Sequence, residues 1–223
     1  MKQKLLVVLS GGMDSTTALA WAINDPSYEV IGCVHFQYGS KHNKIEIVAA
    51  HNIADYYKIP ITVINLEFIN EYFKSDLLKS GGEIPEGHYA DESMKKTVVP
   101  FRNGIMLSIA AGLTESKGAK GVVLGNHFGD HAIYPDCRVE FIAPMAHAIA
   151  NGTYERIQLI SPFKDIDKTE IARIGAGLKV PFELTWTCYK GEDKHCGKCG
   201  SCTERKEAFN LAGVVDPTIY AEV

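Results

Sequence analysis

No stretch of this sequence is apolar for long enough to cross a bilayer, and none has the form of an export signal. The opening run Leu5-Leu6-Val7-Val8-Leu9 is short and ends in a polar loop. A surplus of basic residues is missing too. There are 23 Lys and Arg against 27 Asp and Glu, a formal net charge of −4. That argues against a chain whose main task is gripping nucleic acid, since phosphate backbones are bound through excess cations. Internal repeats and low-complexity tracts are absent, so a solenoid or a linker-rich architecture is not expected. Cysteine is sparse and unevenly placed: of six, four fall within residues 188–202. Without an export signal, that clustering points to a reduced metal site in the cytoplasm rather than a disulfide framework. Two common nucleotide signatures are also lacking. No Gly-Lys-Ser/Thr follows the first apolar run, and there is no G-x-G-x-x-G.

The run leads instead into Leu9-Ser10-Gly11-Gly12-Met13-Asp14-Ser15-Thr16-Thr17-Ala18-Leu19. The run itself reads as a buried parallel strand, apolar on both faces. The glycines let the backbone turn sharply and approach a ligand, and the hydroxyl residues open a helix whose free N–H groups and dipole attract anions. Ser10, Ser15 and Thr16 can add hydroxyl donors to this phosphate cradle. Asp14 selects the kind of cradle: a carboxylate beside phosphates needs a cation between them, and magnesium is the natural one. Ser-Gly-Gly-x-Asp-Ser after an N-terminal strand is similar to the pyrophosphate loop of enzymes that split ATP between its α and β phosphates.

The 223 residues, 46% of them hydrophobic, suit one α/β domain with an appendage. Strands are expected at 5–9, 28–36, 61–66, 121–125 and 156–160, with helices over 43–57, 104–117 and 168–177. That alternation predicts a doubly wound, five-stranded parallel sheet whose ligands sit at the carboxyl ends of its strands. Gln37-Tyr38-Gly39 at one such end is a candidate for adenosine contacts. The expected division is a nucleotide-binding α/β domain over 1–180, with a mobile, Gly-rich insertion at about 68–100, and a C-terminal segment over 181–223 packed on the same domain. Asn126-His127-Phe128-Gly129-Asp130-His131 reads as loop polarity rather than as a metal site. Asp167-Lys168-Thr169-Glu170 has the spacing of a capping box.

Cys188-x7-Cys196-x2-Cys199-x2-Cys202 would complete a tetrahedral zinc shell with no position left for water. Gly197 and Gly200 would turn the backbone so that the thiolates face one ion. Lys190, Lys194, Lys198, Arg205 and Lys206 would offset its negative charge, and His195 is an unneeded alternative ligand. Such a zinc is structural. Cys33 reads as a buried strand residue, and Cys137 lies in a motif loop.

The pyrophosphate-type loop, Val99-Pro100-Phe101-Arg102-Asn103-Gly104, Tyr134-Pro135-Asp136-Cys137-Arg138 and the cysteine spacing together resemble the 7-cyano-7-deazaguanine synthase family over nearly the whole chain. The resemblance implies an adenine-nucleotide α-hydrolase-like fold and a homodimer. It also implies an ATP-dependent conversion of 7-carboxy-7-deazaguanine and ammonia to the nitrile, through an adenylated carboxylate and an amide. ATP, Mg2+ and Zn2+ are then the expected ligands, and the partners are small molecules, with neither nucleic acid nor membrane. Ser10, Asp14, Ser15 and Arg102 are the expected catalytic set, and residues 9–19 the ATP loop. For the guanine-like edge, which offers two donors, Asp136 is the first candidate and Glu140 the second. Phe101 or Tyr134 would stack on the ring, and Arg102 or Arg138 would steer the carboxylate or the phosphate. The rivals are a tRNA-modifying pyrophosphate-loop enzyme of thiolation or lysidine type, an amide-forming synthetase, and a non-catalytic nucleotide sensor.

Overall fold

The computed structural model describes residues 1–127 and 133–221. Five parallel strands form one sheet: β1 (Gln3–Val8), β2 (Tyr28–Gln37), β3 (Ile61–Asn65), β4 (Gly121–Val123) and β5 (Gln158–Ile160). Their spatial order is β3-β2-β1-β4-β5. The chain therefore winds one way from β1 through β2 to β3 and the other way from β4 to β5. The switch lies between β1 and β4, where a crevice opens above the strand ends.

Side chains alternate across the sheet and feed two cores. On one face, Leu5, Val7, Cys33 and Val123 pack with Ala18 and Leu19 of α1 (Met13–Asn24), Ile53 of α2 (Asn43–Tyr57) and Ile171 of α6 (Lys168–Gly177). On the other, Val34, Phe36 and Val122 pack with Ile69 of α3 (Phe68–Tyr72), Leu107 of α4 (Arg102–Ser116) and Ile142 of α5 (Val139–Gly152). Helices α1 and α6 approach closely because Gly175 has no side chain. A Cβ there would lie 2.9 Å from Thr17 Oγ1 and 2.4 Å from the Phe182 ring. No helix among the described residues is long and apolar enough to cross a membrane.

At three element ends the difference from expectation has a local reason. β4 stops at Val123 because the chain then bends around the first turn of α1. A Cβ on Gly125 would sit 2.9 Å from the Asp14 carbonyl oxygen. β5 starts at Gln158 because Arg156 has φ +51°, outside strand geometry. α4 begins at Arg102, after Phe101 takes a left-handed conformation (φ +55°) and the Asp136 carboxylate accepts the Asn103 N–H at 2.8 Å.

The 68–100 insertion is packed rather than splayed. Lys41 Nζ donates to the carbonyls of Asp76, Leu78 and Gly82 at 2.6–2.7 Å, and Leu77 and Leu78 are fully buried. Its far end meets the cysteine segment, where Gly87 N–H donates to the Lys198 carbonyl at 3.0 Å. The C-terminal segment includes α7 (Gly200–Ala212), which packs on α6, and a coil beyond it. Arg205 of α7 is completely buried. Its Nε donates to Asp216 at 3.1 Å, and its Nη atoms donate to Thr185, Thr187 and the Phe182 carbonyl at 2.7–3.2 Å. It therefore ties the C-terminal coil to α7, rather than balancing the charge of the cysteines.

Candidate active site

A cavity of about 230 Å³ opens at the switch point, over the carboxyl ends of β1, β2 and β4. Its floor is the loop after β1. Gly11 has φ +94°, and a Cβ on it would lie 2.9 Å from both the Ala50 nitrogen and the Glu46 carbonyl. Only glycine fits there, and it brings α2 down against the loop. Gly12 is extended; its N–H donates to Ser10 Oγ at 3.2 Å. Ser15 Oγ lies 3.0 Å from Ser10 Oγ and accepts the Ser10 N–H at 3.2 Å, so the two hydroxyls hold the turn shut. Thr16 N–H makes the first i→i−4 bond, to the Gly12 carbonyl, which leaves the amides of Met13, Asp14 and Ser15 as the orphan donors of the helix start.

Of the eleven residues expected in the ATP loop, Leu9, Ser10, Gly12, Met13, Asp14 and Ser15 line the cavity. The other five do not. Thr16 and Thr17 donate their hydroxyls to backbone carbonyls one turn earlier, at 2.8 Å, and Ala18 and Leu19 are core.

The most concentrated electrostatics surrounds Asp14, and it involves residues to which sequence reasoning assigned no role at the phosphates. Lys168, at the start of α6, places Nζ 3.3 Å from Asp14 Oδ2 and 2.5 Å from Glu204 Oε2. The capping box positions it, with Asp167 accepting the Glu170 N–H at 2.9 Å. His127, fully buried, has Nε2 3.8 Å from Asp14 Oδ2 and 4.0 Å from Glu204 Oε1. Asp14 Oδ1 has no hydrogen-bond partner among the described residues, which fits a carboxylate set to bind a hard cation. A lysine a few residues past the carboxyl end of β5 was the signal that could have found Lys168. Phe128-Gly129-Asp130-His131, from the expected polar loop, lies outside the described residues.

Across the cavity, α4 presents Arg102. Its Nη1 donates to Tyr38 Oη at 3.1 Å, and the guanidinium lies 5.4 Å from the Tyr38 ring centre. Burial works against its charge, but Tyr38 and Asp136 outweigh that and hold it protonated. Tyr134 also lines the cavity, sharing its hydroxyl with Thr97 at 3.0 Å and Tyr189 at 3.2 Å. The other substrate candidates lie elsewhere. Phe101 is exposed, edge-on to Phe141. Asp136 is buried at the start of α4, the Arg138 carbonyl starts α5, and Glu140 is exposed on α5. Within this wall, burial followed by the Arg102 charge lowers His42 to about 4, and burial raises Glu46 to about 8 against the opposing pull of Arg102.

The four cysteines meet as expected. All are buried, and their sulfurs lie within 4.8 Å of one another. Backbone N–H groups of Cys196, Lys198 and Cys199 donate to sulfur at 3.3–3.5 Å, as thiolates bound to a metal require. A closed set of four sulfurs suits a structural ion such as zinc. Gly197 makes the turn, with φ +69°. Gly200 serves close approach instead, since a Cβ there would lie 2.8 Å from Met94 Sδ. His195 Nε2 accepts the Thr187 N–H at 3.1 Å and is stacked on Trp186, so it braces the segment.

Comparison with known proteins accords with this geometry. The family model described as "Queuosine biosynthesis protein QueC" matches residues 4–213. The chain belongs to the QueC family. Curated members include the 7-cyano-7-deazaguanine synthase of Porphyromonas gingivalis, 53% identical over 215 residues, with 96% of each chain covered. That of Desulfotalea psychrophila is 47% identical, over 96% of this chain and 97% of its own. Among solved structures, the U34-tRNA thiolase NcsA from Methanococcus maripaludis superposes with TM-score 0.52 at 15% identity. It matches 94% of this chain and 65% of that one. The NMN synthetase from Francisella tularensis gives 0.50 at 11%, over 96% and 78%. At such identities the likeness is one of fold. It places this QueC chain on the architecture of pyrophosphate-loop enzymes. The role in queuosine biosynthesis comes with the family and its curated members.

Proposed function

We propose that the cavity carries out ATP-dependent conversion of 7-carboxy-7-deazaguanine and ammonia to 7-cyano-7-deazaguanine. The observation that carries this reading is the meeting of Asp14, Lys168 and the α1 N-terminus on one wall of a cavity at the sheet's switch point. Names of close relatives supply the product, the nitrile, and the acid and ammonia are the precursors that its chemistry calls for.

In this reading the substrate carboxylate attacks the α-phosphorus of ATP, the bond to the β-phosphate breaks, and pyrophosphate departs toward α1. The Met13, Asp14 and Ser15 amides and the Lys168 ammonium take up the charge that builds on it. Asp14 would hold Mg2+, which supplies Lewis-acid neutralisation of the phosphates. Arg102, already protonated and oriented by Tyr38, steers the acid and then the adenylate phosphate. Ammonia attacks the acyl carbon and AMP leaves, giving the amide. A second ATP adenylates the amide oxygen with release of pyrophosphate, and AMP then departs with that oxygen as the two N–H protons are lost, giving the nitrile. Carboxamide oxygen is a poor leaving group, which is the physical need for ATP.

Cys188, Cys196, Cys199 and Cys202 would hold Zn2+ with a structural task. They fix the segment 181–223, which delivers Trp186, Tyr189 and Glu204 to the cavity. The assembly is read as a homodimer.

The test is incubation with ATP, Mg2+, ammonium and the acid, followed by mass spectrometry and by pyrophosphate–ATP exchange. Acid-dependent exchange and a product lighter than the amide by one water are expected. ATP turnover that ignores the acid would refute the reading.

A further inference from the structure

We infer that Glu46 is the residue that reads the substrate's heterocycle, its carboxylate accepting hydrogen bonds from the ring lactam N–H and the exocyclic amino group of a guanine-type edge. This rests on the reaction proposed above and names a specificity residue within it.

Three acids line the cavity among the described residues: Asp14, Glu46 and Glu204. Two share the Lys168 ammonium, at 3.3 and 2.5 Å. Glu46 is different. Its Oε2 is buried without a hydrogen-bond partner among the described residues, and His42 Nε2 stands 3.6 Å away, beyond a normal bond. An acid left so is costly unless a ligand completes it. Asp136, the acid that the motif suggested, already accepts the Asn103 N–H.

The surroundings of Glu46 fit a flat, polar-edged ring. Tyr38, His42, Trp186 and Tyr189 line the same cavity, with the His42 and Tyr189 rings 5.4 Å apart. Arg102, bonded to Tyr38, lines the same cavity near enough for its charge to act on Glu46, and its guanidinium can receive the carboxylate that such a ring carries. Glu46 itself is fixed because the carbonyl of its own residue packs against Gly11, so the reader and the phosphate loop are held in one register.

The chemistry separates two heterocycles. A carboxylate offers two acceptors and matches a guanine edge, which offers two donors. An adenine edge offers one donor and one acceptor, and matches a neutral carboxyl or an amide. Burial raises the Glu46 carboxyl to about 8 and Arg102 opposes it. Two N–H donors from a ligand favour the charged form, so binding near neutral pH releases a proton.

The experiment compares wild type with Glu46→Gln, using 7-carboxy-7-deazaguanine and the analogue that lacks its exocyclic amino group. In wild type, deleting the amino group should raise KM for the acid about 10- to 100-fold, the range for an unpaired buried polar group. In Glu46→Gln the same deletion should cost under about threefold, because the paired acceptor is already gone. KM for ATP should stay within about threefold in both proteins. A wild type indifferent to the amino group overturns the assignment whatever the variant does. So does an equal penalty in both proteins. A wild type that turns over neither acid instead defeats the reaction on which the assignment rests, and the assignment with it.

Discussion

Replacing Arg205 with methionine should lower stability by about 3–4 kcal/mol, although Arg205 touches no expected substrate. The figure comes from the loss that each partner suffers. The guanidinium is fully buried and makes four hydrogen bonds, together with a face contact to Phe209 at 4.9 Å. Bonds from a charged donor contribute about 1.5–3 kcal/mol each, but they do not add. The Phe182 carbonyl keeps its bonds from Thr185, and Thr187 is partly open to water. The main loss is at Asp216. Burial tends to raise its pKa; Arg205, with Tyr220 and Thr218, holds it low. Breaking a buried pair costs about 3–5 kcal/mol, and methionine recovers a little by packing on Phe209, which gives the lower half of that range. For a chain of this size each kcal/mol shifts Tm by roughly 2–4 °C, so the midpoint should fall by roughly 6–16 °C. Calorimetry of the full chain measures it. Asp216→Asn, alone and combined, should show a coupling of at least about 1.5 kcal/mol. A fall under about 2 °C, or strictly additive single changes, would refute the argument that this arginine fastens the C-terminal coil.

Three further outcomes are expected at the site. Lys168→Met should lower kcat by about 100-fold or more, as loss of one preorganised charge at a reacting phosphate does, and steady-state AMP release checks it. Retention within about threefold would remove Lys168 from the chemistry. Gly11→Ala should lose about 2–4 kcal/mol, combining left-handed strain with the contacts of its Cβ with Ala50 and Glu46, read by urea midpoint. Glu46→Gln should change the pH profile of stability. The native carboxyl near 8 lies above its ordinary 4.5, so its contribution is complete below pH 4.5 and is lost as pH rises through about 8. Glutamine has no such loss. Arg102, His42 and Tyr38 are the charged or titratable groups around it, and they remain in both proteins. The variant should therefore gain about 2–4 kcal/mol relative to wild type between pH 5 and 8.5, whereas a constant difference in urea midpoint would contradict the raised pKa.

Much of the scaffold was legible because its signals are local. An apolar run, a glycine turn and a hydroxyl-rich helix start succeed one another in β1 and α1. The cysteine spacing declares itself within fifteen residues, and the alternation of strands and helices requires a parallel sheet. The features that escaped depend on distant partners. Lys168 was visible only as a capping-box position, because its meeting with Asp14 is made by the close approach of α1 and α6. His42 and Glu46 lie in the opening of α2, where an acid and a histidine resemble an ordinary solvated face. Only the packing of α2 on Gly11 turns them inward. Arg205 looked like a counterion because it sits among lysines in sequence, while its actual partner, Asp216, is contributed by the terminal coil. Asp136 was read by charge type alone, and the backbone N–H it accepts from α4 cannot be seen in a motif.

The two loudest motifs stand at opposite ends of the chain and share one cavity. Trp186 N–H donates to the Gly11 carbonyl at 2.9 Å, so the segment leading to the first cysteine is hydrogen-bonded to the phosphate loop itself. On the other side of the cysteines, Glu204 is held by Lys168, which also faces Asp14. Between these two fastenings lie all four thiols. A metal there would set the distance between the Trp186 and Glu204 walls without touching a reacting atom. Its removal should therefore act first on the shape of the cavity and only secondarily on the sheet, whose strands pair without it. That arrangement gives a physical reason for a closed four-sulfur site in an enzyme of this kind: the cavity's far wall comes from a segment with little core of its own, and a metal is the compact way to hold it.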